Sequence, residues 1–326
     1  MSIGTRSQYL RRVLASYVFT KNNQLTFWHE TPARNPAARP DVLGPYWMTF
    51  ADKARYPGPY DADGVPLLDY HGDVGRHHNP IAIAQYALGH YNAYIESFEP
   101  MHFERFATCA EWLLNNLLPN ERGVPVWAHH FDFEYFKPLL APWHSGLAQG
   151  VGLSVLVRAH ALLKDDRYLE AAHRTFESLR TPIEDGGVLY TDPRGGVWIE
   201  EYIVHPPTHI LNGFLWAMWG VHDYKLATGS SEAAEFFVAC LTTVRNNLHR
   251  YDTGFWSLYE LTPQRIQSPA SPFYHQLHLI QLEVMHALTN EPLFLEYRNR
   301  WGSYAARRVN RSAAWVYKAG FKLVYW

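Results

Sequence analysis

The sequence predicts a mainly α fold, an incomplete (α/α) toroid of about four helix hairpins with small β-hairpins in the inter-pair loops. Three observations predict it. Apolar segments of helical length recur in pairs. Each pair is closed by a short turn such as Lys164-Asp165-Asp166 or Thr228-Gly229-Ser230. Loops of about 25 residues then separate one pair from the next, long enough to carry function.

Taken in order, residues 1–75 read as an irregular N-terminal arm after a short first helix. Prolines at 32, 36, 40, 45, 57, 59 and 66 rule out a long helix through this stretch. Residues 76–326 read as one α/α-toroid domain. Asn79-Pro80 opens it, Asn79 capping a helix and Pro80 taking its first position. The pairs are expected at residues 80–94 with 102–118, 145–164 with 167–179, 208–228 with 231–248, and 275–288 with 292–304. The first helix of each pair is the more apolar, as in Ile210-Leu211-Asn212-Gly213-Phe214-Leu215-Trp216, and so belongs on the inside. Between pairs, alternating aromatic or β-branched runs at 123–136, 187–203 and 254–261 predict β-hairpins or short strands.

A chain of 326 residues with 47% hydrophobic and 18% charged content can bury a large core. The formal net charge of -2 points to neither nucleic-acid nor membrane binding. No apolar run is read as approaching the roughly 18 residues of a membrane span. The N-terminal apolar stretch is interrupted by Arg11 and Arg12, so no signal peptide is expected and a cytoplasmic location is the default. Cys109 and Cys240 sit among small and apolar residues and read as buried reduced thiols. Aromatic residues make up 15% of the chain, with 12 Trp and 21 Tyr, many in Gly- and Pro-rich connections where they would suit flat sugar rings.

Ordinary catalytic signatures are missing: no phosphate loop, no nucleophile elbow, no pair of His flanking a Glu on a helix. His205 with His209, His275 with His278, and adjacent His129-His130 have ligand-like spacing, but no third ligand follows. No metal and no cofactor is expected. Within Trp198-Ile199-Glu200-Glu201-Tyr202 a regular strand puts Trp198, Glu200 and Tyr202 on one face and Glu201 on the other. Pro206 and Pro207 follow, so a bend can turn Glu201 and Tyr202 to one cleft. Tyr259 lies in a strand-like run after the Asp252-Thr253-Gly254 turn, and Tyr274 lies at a helix start, where the dipole favours phenolate. Taken singly, each of these residues also fits a packing role.

Together the segments resemble the C-terminal catalytic domain of D-glucuronyl C5-epimerases. The resemblance runs over about residues 64–304. It is carried by Asn79-Pro80-Ile81-Ala82-Ile83-Ala84-Gln85-Tyr86, Ala148-Gln149-Gly150, Leu156-Val157-Arg158-Ala159, Glu200-Glu201-Tyr202 and Leu211-Asn212-Gly213-Phe214. It continues through Tyr251-Asp252-Thr253-Gly254, Tyr274-His275 and Gln281-Leu282. The resemblance implies catalytic roles for Glu201, Tyr202, Tyr259 and Tyr274. Asn79, Gln149, Asn212, Arg194, Arg265 and His275 are the candidate substrate-binding residues. The resemblance also implies a uronate-containing polysaccharide or glycan as partner and a homodimer as the assembly. The arm is too short to match the β-rich domain that precedes the toroid in animal members. Two departures stand out: Thr262 and Ser271 occupy positions where animal members carry arginine, and Arg265 or Arg194 are the candidates to replace that charge.

These residue types suit inversion at C5 of a glucuronate. A proton α to the carboxylate leaves on one face and another returns on the opposite face, which needs one base and one acid. Donors or cations must meet the charge that builds on the carboxylate. The expected activity is conversion of D-glucuronate to L-iduronate residues in a glycan. The alternative is a polysaccharide lyase, which shares the first step and then expels the C4 oxygen. A glycoside hydrolase would need opposed carboxylates from Glu201, Asp132 and Asp192. A silent carbohydrate-binding protein would use the same tyrosines as stacking platforms.

Overall fold

The computed structural model of the chain describes residues 27–28, 30–70, 74–262 and 264–325. The short first helix expected near the N-terminus lies outside the described residues. The chain divides into two compact units, Ala33–Asn246 and, as the other, Met1–Pro32 with Asn247–Trp326. The larger unit takes in the Pro-punctuated stretch after residue 32 as well as three hairpins.

In the larger unit the hairpins are α1 (Pro80–Ser97) with α2 (Pro100–Asn115), α3 (Gly146–Leu163) with α4 (Asp166–Arg180), and α5 (Leu211–Thr228) with α6 (Ser231–Asn247). The smaller unit holds the fourth, α7 (Pro272–Thr289) with α8 (Pro292–Ala306), and a further helix α9 (Arg308–Tyr325) that the periodicity did not predict. Local chemistry sets the starts. Asn79 accepts hydrogen bonds from Ile81 N and Ala82 N, Ser145 from Ala148 N, Asp165 from Arg167 N, and Ser271 from Tyr274 N. The first helix of every pair ends on a left-handed residue: Phe98, Lys164, Gly229 and Asn290, with φ between 54° and 70°. The chain reverses there and the second helix begins within two residues. This shared stop is the physical mark of the repeat.

Burial separates the two helices of each pair. α1, α3 and α5 are buried almost all round over their first 13 or 14 residues. Their partners bury one stripe only, such as Phe106, Cys109, Ala110 and Leu113 on α2. α3 packs along both α1 and α5. Its contact with α5 is backbone-close, because a Cβ on Gly150 would lie 2.3 Å from Ala217 Cα. Across the same contact Arg158 of α3 and Asp223 of α5 form a buried bidentate pair at 2.6 and 3.3 Å. Arg158 also donates to Gly44 O at 3.0 Å and lies over the rings of Tyr46 and Tyr91. The Pro-rich stretch is thereby stitched to the hairpins behind it. Cys109 and Cys240 are buried free thiols, and burial pushes both thiols up.

One expectation about hydropathy is corrected. Gly146–Leu163 has a mean hydropathy of 1.3 over 18 residues, long and apolar enough by composition to cross a membrane, and 78% of it is buried inside the protein. Gln149, Ser154, Arg158 and His160 interrupt the run to the eye without lowering its mean far.

Antiparallel two-stranded ladders fill the inter-pair loops of the larger unit. Leu118–Pro119 pairs with Pro125–Val126, Ala128–His129 with Trp143–His144, and Leu189–Thr191 with Val197–Ile199. A fourth, Leu67–Tyr70 with Gly75–His78, precedes α1. The run after Gly254 forms isolated bridges, Asp252 to Ser257 and Leu258 to Pro269, and no regular strand.

Candidate active site

The strand Val197–Ile199 stops one residue before the acidic pair. Glu200, Glu201 and Tyr202 therefore do not alternate across a sheet as the sequence suggests. Glu200 N donates to Val188 O and Gly146 N donates to Glu200 O, both at 2.9 Å, which fastens this corner to the start of α3. A Cβ at Gly146 would lie 2.4 Å from Glu200 O, so only glycine allows the approach. The Glu200 side chain turns inward and braces the loop. It accepts from His209 N at 3.1 Å and pairs with His209 Nδ1, while the His209 ring stacks on Trp198 at 4.0 Å. Trp198 Nε1 donates onward to Asp192 at 2.9 Å.

With Glu200 committed, Glu201 is the carboxylate left to face the first turn of α5. It is 4% exposed, and Asn212 Nδ2 donates to its Oε2 at 3.4 Å. A methyl group on Gly213 would fall 2.1 Å from that same oxygen. Gly213 thus makes the seat, and Asn212 supplies a donor at the helix start. Tyr202, half-buried, sits in an aromatic cage with Tyr135 at 4.9 Å, Phe133 at 5.4 Å and Trp143 at 5.8 Å. Tyr135 OH donates to Thr208 at 3.0 Å, and Lys137 Nζ donates to His205 O, tying the two loops that form the cage.

The other larger-unit candidates are placed as follows. Asn79 links the α1 cap to Tyr70 OH at 2.8 Å, and Tyr70 packs on Phe131 of the Trp143 cluster. Gln149 is fully buried, accepting from Trp127 N and donating to Ser145 O. Arg194 is exposed in the turn that Asp192 organises. Burial pushes the Asp192 carboxyl up, but donors from Trp198, Gly196 and Arg194 outweigh it and hold the group below its usual range. Asp132 accepts from Ala141 N at an exposed turn.

In the smaller unit Tyr259 and Tyr274 are brought together, ring centroids 4.7 Å apart, both half-buried. Tyr259 N donates to Ser268 O at 2.8 Å and Ala270 N to Ser257 O at 2.9 Å. His275 is 1% exposed and stacked on Trp256 at 3.8 Å. Ser257 N donates to its Nδ1, so Nε2 carries the proton to Trp301 O at 3.1 Å. His278 Nδ1 meets the Ser257 hydroxyl at 3.0 Å. The spaced pair His275 and His278 is thus engaged by a serine, and burial pulls His275 down to about 4. Ser271 caps α7 and Thr262 accepts from Gln264 N. Arg265 is exposed.

Sequence reasoning missed Tyr135 and Trp143, which cage Tyr202, and Lys318 of α9, whose Nζ lies 5.9 Å from the Tyr259 ring centroid. The cage residues carry no local signal beyond aromatic richness in loops, and Lys318 lies on the helix that was not predicted.

Fold and site together define an α/α-toroid protein with an acidic and phenolic loop site. Its fold is similar to that of cellobiose 2-epimerase from Bacillus thermoamylovorans B4167, with a TM-score of 0.58 and 9% identity, covering 93% of this chain and 88% of that one. Over residues 121–303 the chain matches the family described as D-glucuronyl C5-epimerase C-terminus, and it belongs to that family. It is 30% identical over 223 residues to D-glucuronyl C5-epimerase of Caenorhabditis elegans, covering 63% of this chain and 35% of that protein. It is 29% identical over 180 residues to an uncharacterized protein of Methanocaldococcus jannaschii, covering 54% of this chain and 56% of that protein. The chain thus spans about a third of the first relative and just over half of the second.

Proposed function

We propose that the chain is a uronate C5-epimerase, converting D-glucuronate to L-iduronate residues within a glycan. The observation that carries this reading, within the family assignment, is the seat of Glu201: a buried carboxylate held at a helix start by Asn212 and the bare backbone of Gly213, beside a caged tyrosine. Glu201 takes the C5 proton, and the C5–H electron pair moves into the uronate carboxylate as an enediolate. A phenol returns a proton to the other face of C5, a role that the family resemblance gives to Tyr259 or Tyr274. Glu201 leaves this step protonated and the tyrosine as phenolate, so both must exchange with water before the next turnover. Tyr202 orients the sugar and shares the Glu201 face. A homodimer is the assembly this reading expects.

The test is incubation with an unsulfated glucuronate polymer. Iduronate signals in an unbroken chain, reduced by about a thousandfold in Glu201→Gln, are the expected result. Absorbance from unsaturated uronate would make the enzyme a lyase, and new reducing ends without unsaturation would make it a hydrolase. Saturable polymer binding with no chemistry at all would make it a binding protein.

A further inference from the structure

Lys318 is a charged group that the reaction scheme above does not use. It projects from α9 toward the loop that carries Tyr259. Its Nζ donates to Pro269 O at 2.8 Å and Ser268 Oγ at 3.1 Å, both uncharged acceptors. Ser268 is also the residue whose carbonyl receives Tyr259 N. The ammonium lies 5.9 Å from the Tyr259 ring centroid and 5.4 Å from that of Phe321. Among the described residues no carboxylate stands within ion-pair distance of it. The charge of buried Glu260 favours its ammonium form. Two of its three protons are held, and the side chain is partly buried beside the two half-buried tyrosines.

We infer that Lys318 is the cation of a carboxylate-binding subsite beside Tyr259 and Tyr274, with the uronate carboxylate of the glycan as its ligand. The inference rests on the epimerase reading for the identity of the ligand. A fixed positive charge with a spare N–H, next to aromatic faces, provides both things a uronate ring presents: an anion and a flat apolar side. Burial pulls the amine down to about 8, against the raising influence of Glu260, so the ammonium form persists at neutral pH. Neither Ser271, used as a helix cap, nor Thr262 can supply that charge. Ser268 and Pro269 hold the ammonium from one side, which fixes the direction of the remaining donor.

The experiment is a binding comparison at neutral pH by calorimetry, with a glucuronate oligosaccharide and the same oligosaccharide after carboxyl reduction. Lys318→Met is expected to weaken binding of the acidic ligand about tenfold and to leave the reduced ligand within about twofold. Lys318→Arg is expected to keep most of the affinity for the acidic ligand. Equal weakening for both ligands in Lys318→Met, or acidic-ligand affinity equal to wild type, would overturn the inference. The readout does not need turnover. A wild-type protein that binds the acid through Lys318 yet performs no C5 chemistry would count against the epimerase reading alone.

Discussion

At the scale of single residues, the site depends on side chains that are absent as much as on those present. Gly213 lets the Glu201 carboxylate lie against the first turn of α5, and Gly146 lets the Glu200 backbone lie against α3. Gly213→Ala would force its methyl into the space 2.1 Å from Glu201 Oε2 and displace the carboxylate by a fraction of an ångström or more. The expected result is a fall of about a hundredfold in kcat with the fold retained, because misplacing a reacting group costs that much. Turnover assays with circular dichroism would check it, and wild-type kcat would show that the seat is not needed. The adjacent glutamates also show what sequence conceals. Both are acidic, neighbouring and buried, and their partners separate them: Glu200 pairs with His209, whereas Glu201 accepts from Asn212.

At the scale of helices, capping and interhelix pairs carry the organisation. Lys164 sits at φ 57° where the α3–α4 turn requires a left-handed residue, and it is exposed. Lys164→Gly relieves that conformation and is expected to stabilise by about 1 kcal/mol, read as a higher midpoint in urea. The Arg158–Asp223 pair lies across the α3–α5 contact, each partner 1% exposed. Arg158→Met leaves Asp223 buried without its partner and is expected to cost about 3–5 kcal/mol, with the same readout. Arg158 stands in a family motif, and its contacts make that motif structural. The hairpin helices were legible in the sequence because apolar period and cap residues agree at Asn79, Ser145 and Asp165. α9 was not. Ala314, Tyr317, Phe321 and Tyr325 do recur there at helical spacing, but the segment lies beyond the last hairpin and outside the paired pattern. The run from Gly254 has strand-like alternation but only isolated bridges to form, so pattern alone overstated it.

At the scale of the whole molecule, a set of buried histidines ties stability to pH. His90 and His129 are pulled down to about 3 and His275 to about 4, with His278 well below its ordinary value, all chiefly by burial. These groups stay neutral in the folded state while the unfolded chain binds protons below about 6.5. Their contribution to stability is therefore full above pH 6.5 and is lost as the pH falls from there toward 4 and 3. The thermal midpoint should be level near neutrality and drop steadily across that window. A midpoint unchanged down to pH 4 would show these rings are not held neutral. Residues three apart on a helix can share a serine as readily as an ion, as His275 and His278 share Ser257. What the sequence could not give was convergence. Tyr202 meets Phe133, Tyr135 and Trp143 from more than 55 residues away, and no local pattern encodes that meeting.

On the proposed mechanism Glu201 removes the C5 hydrogen of a uronate and the returning hydrogen comes from solvent-exchanged groups. Deuterium incorporation at C5 tests it most directly, with a glucuronate polymer in deuterated water followed by NMR of the intact chain. Wild-type protein is expected to place deuterium at C5 of both glucuronate and iduronate residues, and Glu201→Gln none above background. Iduronate that retains protium at C5, or undiminished exchange in Glu201→Gln, would contradict it.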